Sequence, residues 1–87
     1  MIRLDLPRGQ IDLRRDDLVR LRDAAADQAG RSSAARDLSL ILDRGLDQRR
    51  TVTLRRGELH ALIQVAADAG LGELTARLED AAGTSPS

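Results

Sequence analysis

The chain has 87 residues, with fourteen basic and fourteen acidic side chains and with no Phe, Tyr, Trp or Cys. A chain this short forms one small domain, and its core must consist of Leu, Ile, Val and Ala, without disulfides or thiolate metal ligands. Because such a core is thin, the composition favours self-association, and we expect a homodimer.

The composition also argues against several classes of function. The first ten residues, MIRLDLPRGQ, have charges between the apolar positions, and no stretch reaches transmembrane length. We therefore expect a cytoplasmic protein that makes no contact with a membrane. The single histidine, His60, has no acid–base partner, and neither a Gly-rich phosphate loop nor metal-ligand spacing is found. We expect neither an enzyme nor a protein with a metal ion or a cofactor.

Apolar periodicity predicts the first elements of the chain. Residues 2–6 and 11–13 alternate between apolar and polar side chains, which is typical of strands, and the turn residues between them predict an N-terminal β-hairpin. A helix is predicted to begin at Asp16 or Asp17, where acidic side chains complement the helix dipole. Gly30 is predicted to end this helix in a left-handed conformation.

The remaining elements are a helix, a strand and two further helices. Ser32 or Ser33 is predicted to cap the second helix, and Thr51–Leu54 is predicted to be a strand. A third helix is predicted from Gly57, and a short fourth helix over Glu73–Ala82. The fold class is therefore α+β and mostly helical. The predicted core consists of Leu13, Leu18, Leu21, Leu38, Ile41, Leu42, Val52, Leu54, Leu59, Leu62, Ile63, Leu74 and Leu78.

Two segments of the sequence match each other. Ile11–Asp27 and Val52–Asp68 are identical at eight of seventeen positions, more than a composition rich in Leu, Arg, Ala and Asp produces by chance. The match predicts two pseudo-repeated strand–helix–helix units. The predicted organisation is a single domain of residues 1–82 with pseudo-repeats at 11–48 and 51–82, followed by a flexible tail at 83–87.

The first unit resembles a known family. Residues 11–46 contain a short strand, a helix, a Gly-Arg-Ser turn and a second helix, and this order resembles the ribbon-helix-helix DNA-binding proteins; residues 52–82 resemble a degenerate second copy. The resemblance implies that outward strand side chains enter the major groove of DNA. By alternation these side chains are Asp12 and Arg14 in the first copy and Thr53 and Arg55 in the second.

The arginines beside the two strands are the candidate nucleic-acid site. An Arg-Arg pair follows each strand, and guanidinium groups suit phosphate oxygens. The predicted contacts are Arg14, Arg49, Arg50, Thr53 and Arg55, in a tandem ribbon-helix-helix-like transcriptional regulator. The alternative is that these arginines are solvated and pair with the acidic residues beside them, which agrees with a net charge of zero.

The function that we expect first is a small non-enzymatic protein-interaction module, an adaptor or regulatory subunit whose protein partner the sequence does not identify. Leu40 lies off the apolar stripe of its helix, and a short apolar helix at the end of the chain is typical of docking elements. The predicted interface residues are Leu40, Val52, Leu71, Leu74 and Leu78. The last three equally fit a role in closing the protein's own core, and the sequence leaves both alternatives open.

Overall fold

The computed structural model describes residues 2–48 and 51–83, which form three strands and four helices. The predicted α+β, mostly helical class and the N-terminal hairpin are confirmed. Arg49, Arg50 and residues 84–87 of the predicted tail lie outside the described residues. In chain order the elements are β1 (Ile2–Leu6), β2 (Gly9–Leu13), α1 (Arg15–Gln28), α2 (Ser33–Gln48), β3 (Val52–Thr53), α3 (Arg56–Asp68) and α4 (Gly72–Ala81).

Strand β1 lies in the middle of the sheet, whose order is β2-β1-β3. β2 is antiparallel to β1, with Ile2 opposite Leu13, and β3 is parallel to β1, with Leu4 opposite Val52. The Leu54 N–H extends this second pairing by donating to the Asp5 carbonyl oxygen at 2.9 Å. The two strands of the predicted repeats therefore do not pair with each other, because β1 separates them.

The helices cover one face of the sheet. Along β1, buried Ile2, Leu4 and Leu6 alternate with exposed Arg3 and Asp5, as expected for a strand with one solvent-facing side. Helix α1 packs mainly on α2, and α3 packs on α4, α1 and α2. The largest fully buried side chains are all leucines: Leu4, Leu13, Leu18, Leu21, Leu38, Leu42, Leu54, Leu62 and Leu78.

The composition of the core differs from the sequence-based list in two ways. Ile41 and Ile63 are only partly buried, because each lies at the margin of the buried side of its helix. The inward side chains of β1 belong to the core, since the central strand is flanked by strands on both edges and covered by helices. The additional core residues are Ile2, Leu4, Leu6, Ala25, Ala35, Leu46, Val65 and Ala66.

The two helix–helix connections are built differently, and the prediction for Gly30 is wrong. Gly30 does not have a positive φ; the chain continues after α1 with right-handed turns, in which Arg31 and Ser32 both donate to the Gln28 carbonyl oxygen. The predicted cap of the second helix is confirmed at Ser32, whose Oγ accepts a hydrogen bond from the Ala35 N–H at 3.3 Å.

A left-handed glycine instead ends α3. Gly70 has φ +77° and follows the C-cap residue Ala69. Its N–H donates to the Ala67 carbonyl oxygen at 3.1 Å, and the Leu71 N–H donates to the Ala66 carbonyl oxygen at 2.9 Å. These two bonds satisfy carbonyl groups that a helix end leaves without partners, and they direct the chain into α4.

We predict that alanine has opposite effects at these two glycines. Gly70→Ala should destabilise the fold by about 1 kcal/mol because a Cβ is disfavoured at positive φ, although the space around it is open. Gly30→Ala should be neutral or stabilise the fold by up to about 1 kcal/mol, because alanine restricts the unfolded chain. Urea unfolding followed by circular dichroism at 222 nm measures both, and equal losses would contradict the assignment of the left-handed position.

Candidate functional site

The outward face of α2 carries an exposed leucine. The buried side of this helix is formed by Ala35, Leu38, Leu42, Gly45 and Leu46. Leu40 lies two residues from Leu38 and from Leu42, which places it on the opposite side of a helix with 3.6 residues per turn. Its exposed fraction is 59%, and it is the only exposed large hydrophobic side chain in the part of the chain that the structure describes.

Charged residues surround Leu40 on α2. Arg36 and Asp37 lie one turn before it, Asp43 and Arg44 lie one turn after it, and all four are exposed. Sequence reasoning selected Leu40 but missed these four residues. Their spacing of three and four positions from Leu40, which places them on the same side of the helix, was the signal that could have found them.

One of these charges connects α2 to α1. The Arg22 guanidinium donates to Asp43 at 3.2 Å and to Asp23, its neighbour in sequence, at 3.1 Å. The hydrogen bond to Asp23 raises the pKa of Arg22 above its ordinary value, and the bond to Asp43 raises it further. Both carboxylates are more than half exposed, so these ion pairs orient side chains but contribute little stability.

A shallow cleft lies between the end of α2 and the free edge of β3. Its volume is about 200 Å³, and Ile41, Arg44, Gln48 and Thr53 are among the residues that line it. Val52, a predicted interface residue, is 4% exposed and belongs to the core of the chain. Any contribution of Val52 to an interface must therefore come from its backbone.

The predicted docking stripe of α4 lies against the protein itself. Leu74 is 6% exposed and Leu78 is fully buried, while Leu71 is partly buried against the same core. Helix α4 packs on α3 and β2, which cover this stripe. Of the two alternatives that the sequence left open for these leucines, the structure places them in the position of core residues.

Arg77 connects α4 to the first part of the chain. The Arg77 guanidinium donates to the Asp12 carbonyl oxygen at 3.0 Å, and it lies 3.9 Å from the Asp17 carboxylate. Asp12 is the residue before the last one of β2, and Asp17 lies in the first turn of α1, so Arg77 connects the junction of these elements to the last helix. Together with Leu71 and Glu73, Arg77 and Asp17 line a cleft of about 230 Å³.

The residues of the candidate nucleic-acid site do not form one cluster among the described residues. Arg14 and Arg55 are both exposed, at the N-termini of α1 and α3. Arg14 follows Leu13, which is opposite Ile2 at the start of β1. Arg55 lies two residues beyond Thr53, which is opposite Asp5 near the end of β1. The two arginines therefore leave the sheet at opposite ends, about 20 Å apart along the strand direction.

The outward face of the sheet is mixed in charge. Asp12 lies opposite Arg3 and accepts a hydrogen bond from its guanidinium at 3.4 Å. Thr53 lies beside Asp5 on the same exposed face. The surface that the family resemblance directs toward DNA thus contains two carboxylates, those of Asp5 and Asp12.

No other candidate chemistry emerges from residues 2–48 and 51–83. Within these residues no three His, Cys, Asp or Glu side chains group as metal ligands, and none of the helices has both the length and the apolar character needed to cross a bilayer. Comparisons of the chain with protein-family models, with curated proteins and with solved structures found no match. The outward face of α2 is therefore the candidate site that its geometry supports best.

We predict that two leucine truncations separate the core from the candidate site. Leu78→Ala removes a fully buried side chain and should destabilise the fold by about 2–5 kcal/mol. Leu40→Ala is the matched control, the same change at an exposed position, and should alter the free energy of unfolding by less than about 0.5 kcal/mol. Urea unfolding of dilute protein, followed by circular dichroism, compares them. A large loss for Leu40→Ala would remove Leu40 from the list of surface residues.

Proposed function

We propose that the protein is a small non-enzymatic interaction module, an adaptor or regulatory subunit that binds another protein chain through the outward face of α2. The observation that supports this proposal is the exposure of Leu40 on a helix whose other large apolar residues are buried or partly buried. Burying one leucine on binding contributes about 1.5–3 kcal/mol, which suits a central contact with polar surroundings.

The packing of α2 against the rest of the protein also favours binding through Leu40. Helix α2 packs on α1, on α3 and on β3, so its backbone is held before any partner arrives. A contact residue on a fixed helix loses little conformational entropy on binding. The exposed charges of Arg36, Asp37, Asp43 and Arg44 supply the polar rim that gives orientation and specificity to such a contact.

We also propose that the two matched segments, Ile11–Asp27 and Val52–Asp68, form an internal pseudo-repeat. Residues at the eight identical positions of the two segments have the same degree of burial, as in Leu21 and Leu62 or Asp27 and Asp68. At two further positions the side chains are chemically similar: Asp17 and Glu58 are both partly buried, whereas Ile11 is partly buried and Val52 is buried. This agreement supports a common origin of the β2–α1 and β3–α3 units. Only the β2–α1 unit is followed by a helix with an exposed leucine, which is Leu40 of α2.

Crosslinking from position 40 tests the proposed function. We expect a photo-reactive residue in place of Leu40 to give covalent protein adducts in cells, because this position lies at the centre of the contact. The same residue in place of His60, which is exposed on α3, is the matched control and should give few. Gel mobility and mass spectrometry identify the adducts, and equal yields at the two positions would refute the proposed site.

DNA binding by the ribbon-helix-helix-like surface is the alternative function, and it makes a different prediction. We expect no electrophoretic shift of mixed duplex DNA at micromolar protein and low salt, because Arg14 and Arg55 lie at opposite ends of the sheet and carboxylates lie between them. A shift that the combined Arg14→Ala and Arg55→Ala variant abolishes would replace the proposed function with the alternative. An Arg31→Ala variant controls for the loss of positive charge.

A further inference from the structure

The sequence around Leu40 is nearly symmetric about that residue. Residues 36–44 read Arg-Asp-Leu-Ser-Leu-Ile-Leu-Asp-Arg, so charges of the same sign stand at equal distances before and after Leu40. The whole segment lies within α2. The symmetric segment is thus centred on the exposed leucine, and its two Arg-Asp pairs lie on the exposed side of the helix.

We propose that the face of α2 centred on Leu40 binds a second copy of the same chain, with the two α2 helices antiparallel and related by a two-fold axis beside Leu40. This inference rests on the proposed function and names its partner. In a two-fold contact one patch meets itself, so the patch must be complementary to its own rotated copy.

Helical geometry divides the four charges between two flanks of Leu40. With about 100° of rotation per residue, Asp37 and Arg44 lie on one flank of Leu40, and Arg36 and Asp43 lie on the other. On each flank, the acidic residue is three positions from Leu40 and the basic residue is four positions away in the opposite direction. Each flank therefore carries one charge of each sign at nearly equal distances from the centre.

An antiparallel two-fold axis brings unlike charges together. It places Arg44 beside the partner's Asp37, and it places Arg36 beside the partner's Asp43. The two residues of each pair differ by only about 1.5 Å in their position along the helix axis. Each of these contacts occurs twice in the dimer. Leu40 meets the partner's Leu40 between the two flanks, so the apolar contact lies inside four ion pairs.

Asp47 selects the antiparallel direction. A parallel dimer would also pair charges of opposite sign on the flanks, but it would place Asp47 beside the partner's Asp47, since both lie near the middle of the face. In the antiparallel dimer, Asp47 lies beside the partner's Ser33, the first residue of α2. A carboxylate at the N-terminus of a helix is stabilised by the helix dipole.

One flank is better suited to a test than the other. Asp43 already accepts a hydrogen bond from Arg22 of its own chain. Asp37 and Arg44 form no ion pair with the other described residues. Substitutions at Asp37 and Arg44 therefore report on the contact between chains and leave the ion pairs within the chain intact.

The test is a charge exchange measured by sedimentation equilibrium with interference optics, because the chain has no aromatic residue for absorbance. Wild-type protein should exist in a concentration-dependent equilibrium between the 9.4 kDa monomer and the dimer. Asp37→Arg and Arg44→Asp should each weaken the dimer at least about tenfold, since each change creates two like-charge contacts. Asp80→Arg, an exposed reversal on α4, is the matched control and should not weaken it.

The decisive measurement is whether the second charge reversal restores dimerisation. The two single variants should form a heterodimer when mixed, and the combined Asp37→Arg and Arg44→Asp variant should dimerise like the wild type, because both cases restore unlike pairs across the antiparallel axis. If the dimer were parallel, mixing the two single variants would not restore association. Circular dichroism melting of each variant separates loss of association from loss of folding, and the combined variant keeps the test valid if a single variant unfolds.

Two kinds of result would overturn the inference. Wild-type protein that stays monomeric at millimolar concentration, or single variants that dimerise as the wild type does, would exclude this contact between copies. Weakening without restoration would exclude the antiparallel arrangement. Each of these results leaves the proposed function standing if the residue in place of Leu40 still crosslinks to a different protein, so the two failures can be told apart.

Discussion

The structure depends on the pairing of β1 with both of the other strands. Strands β2 and β3 do not pair with each other, and β1 joins them by lying antiparallel to β2 and parallel to β3. Its inward side chains, Ile2, Leu4 and Leu6, are buried under the helices. A two-residue strand such as β3 has little stability alone, so its position follows from this pairing and from the burial of Val52 and Leu54. The direction in which α3 leaves the sheet follows in turn.

Local signals predicted the elements, because their causes lie within a few residues. Apolar spacing gave the helices, and the serine cap of α2 needed only the hydroxyl of Ser32 and the N–H of Ala35. The central place of β1 could not be predicted, since a period of two specifies a strand but not its neighbours. Gly30 was misassigned for a related reason, because the conformation of a glycine after a helix depends on how the next helix packs. Gly70, between α3 and α4, takes the left-handed conformation, and Gly30, between α1 and α2, does not.

The candidate site was only partly predictable. The exposed position of Leu40 follows from its angle on α2 relative to Leu38 and Leu42. The stripe of Leu74 and Leu78 has the same amphipathic pattern whether it meets a partner or the protein itself, and only the position of α4 against α3 and β2 decides between them. The near-symmetry of residues 36–44 was visible in the sequence, but it gained meaning only once its central residue was known to be exposed on one side of a single helix.

The position of β1 also determines when the protein can fold during its synthesis. Strand β1 leaves the ribosome before β3, and it must remain without one of its two neighbours until β3 appears about fifty residues later. The hairpin of β1 and β2 and the pair of α1 and α2 can form early, because their contacts are local. Closing the sheet requires a long loop to close, and its entropic cost must be met before the pairing with Val52 and Thr53 stabilises it. Until then one edge of β1 stays open to pairing with any other extended chain, so nascent copies on neighbouring ribosomes are exposed to mispairing for the time needed to translate α1 and α2.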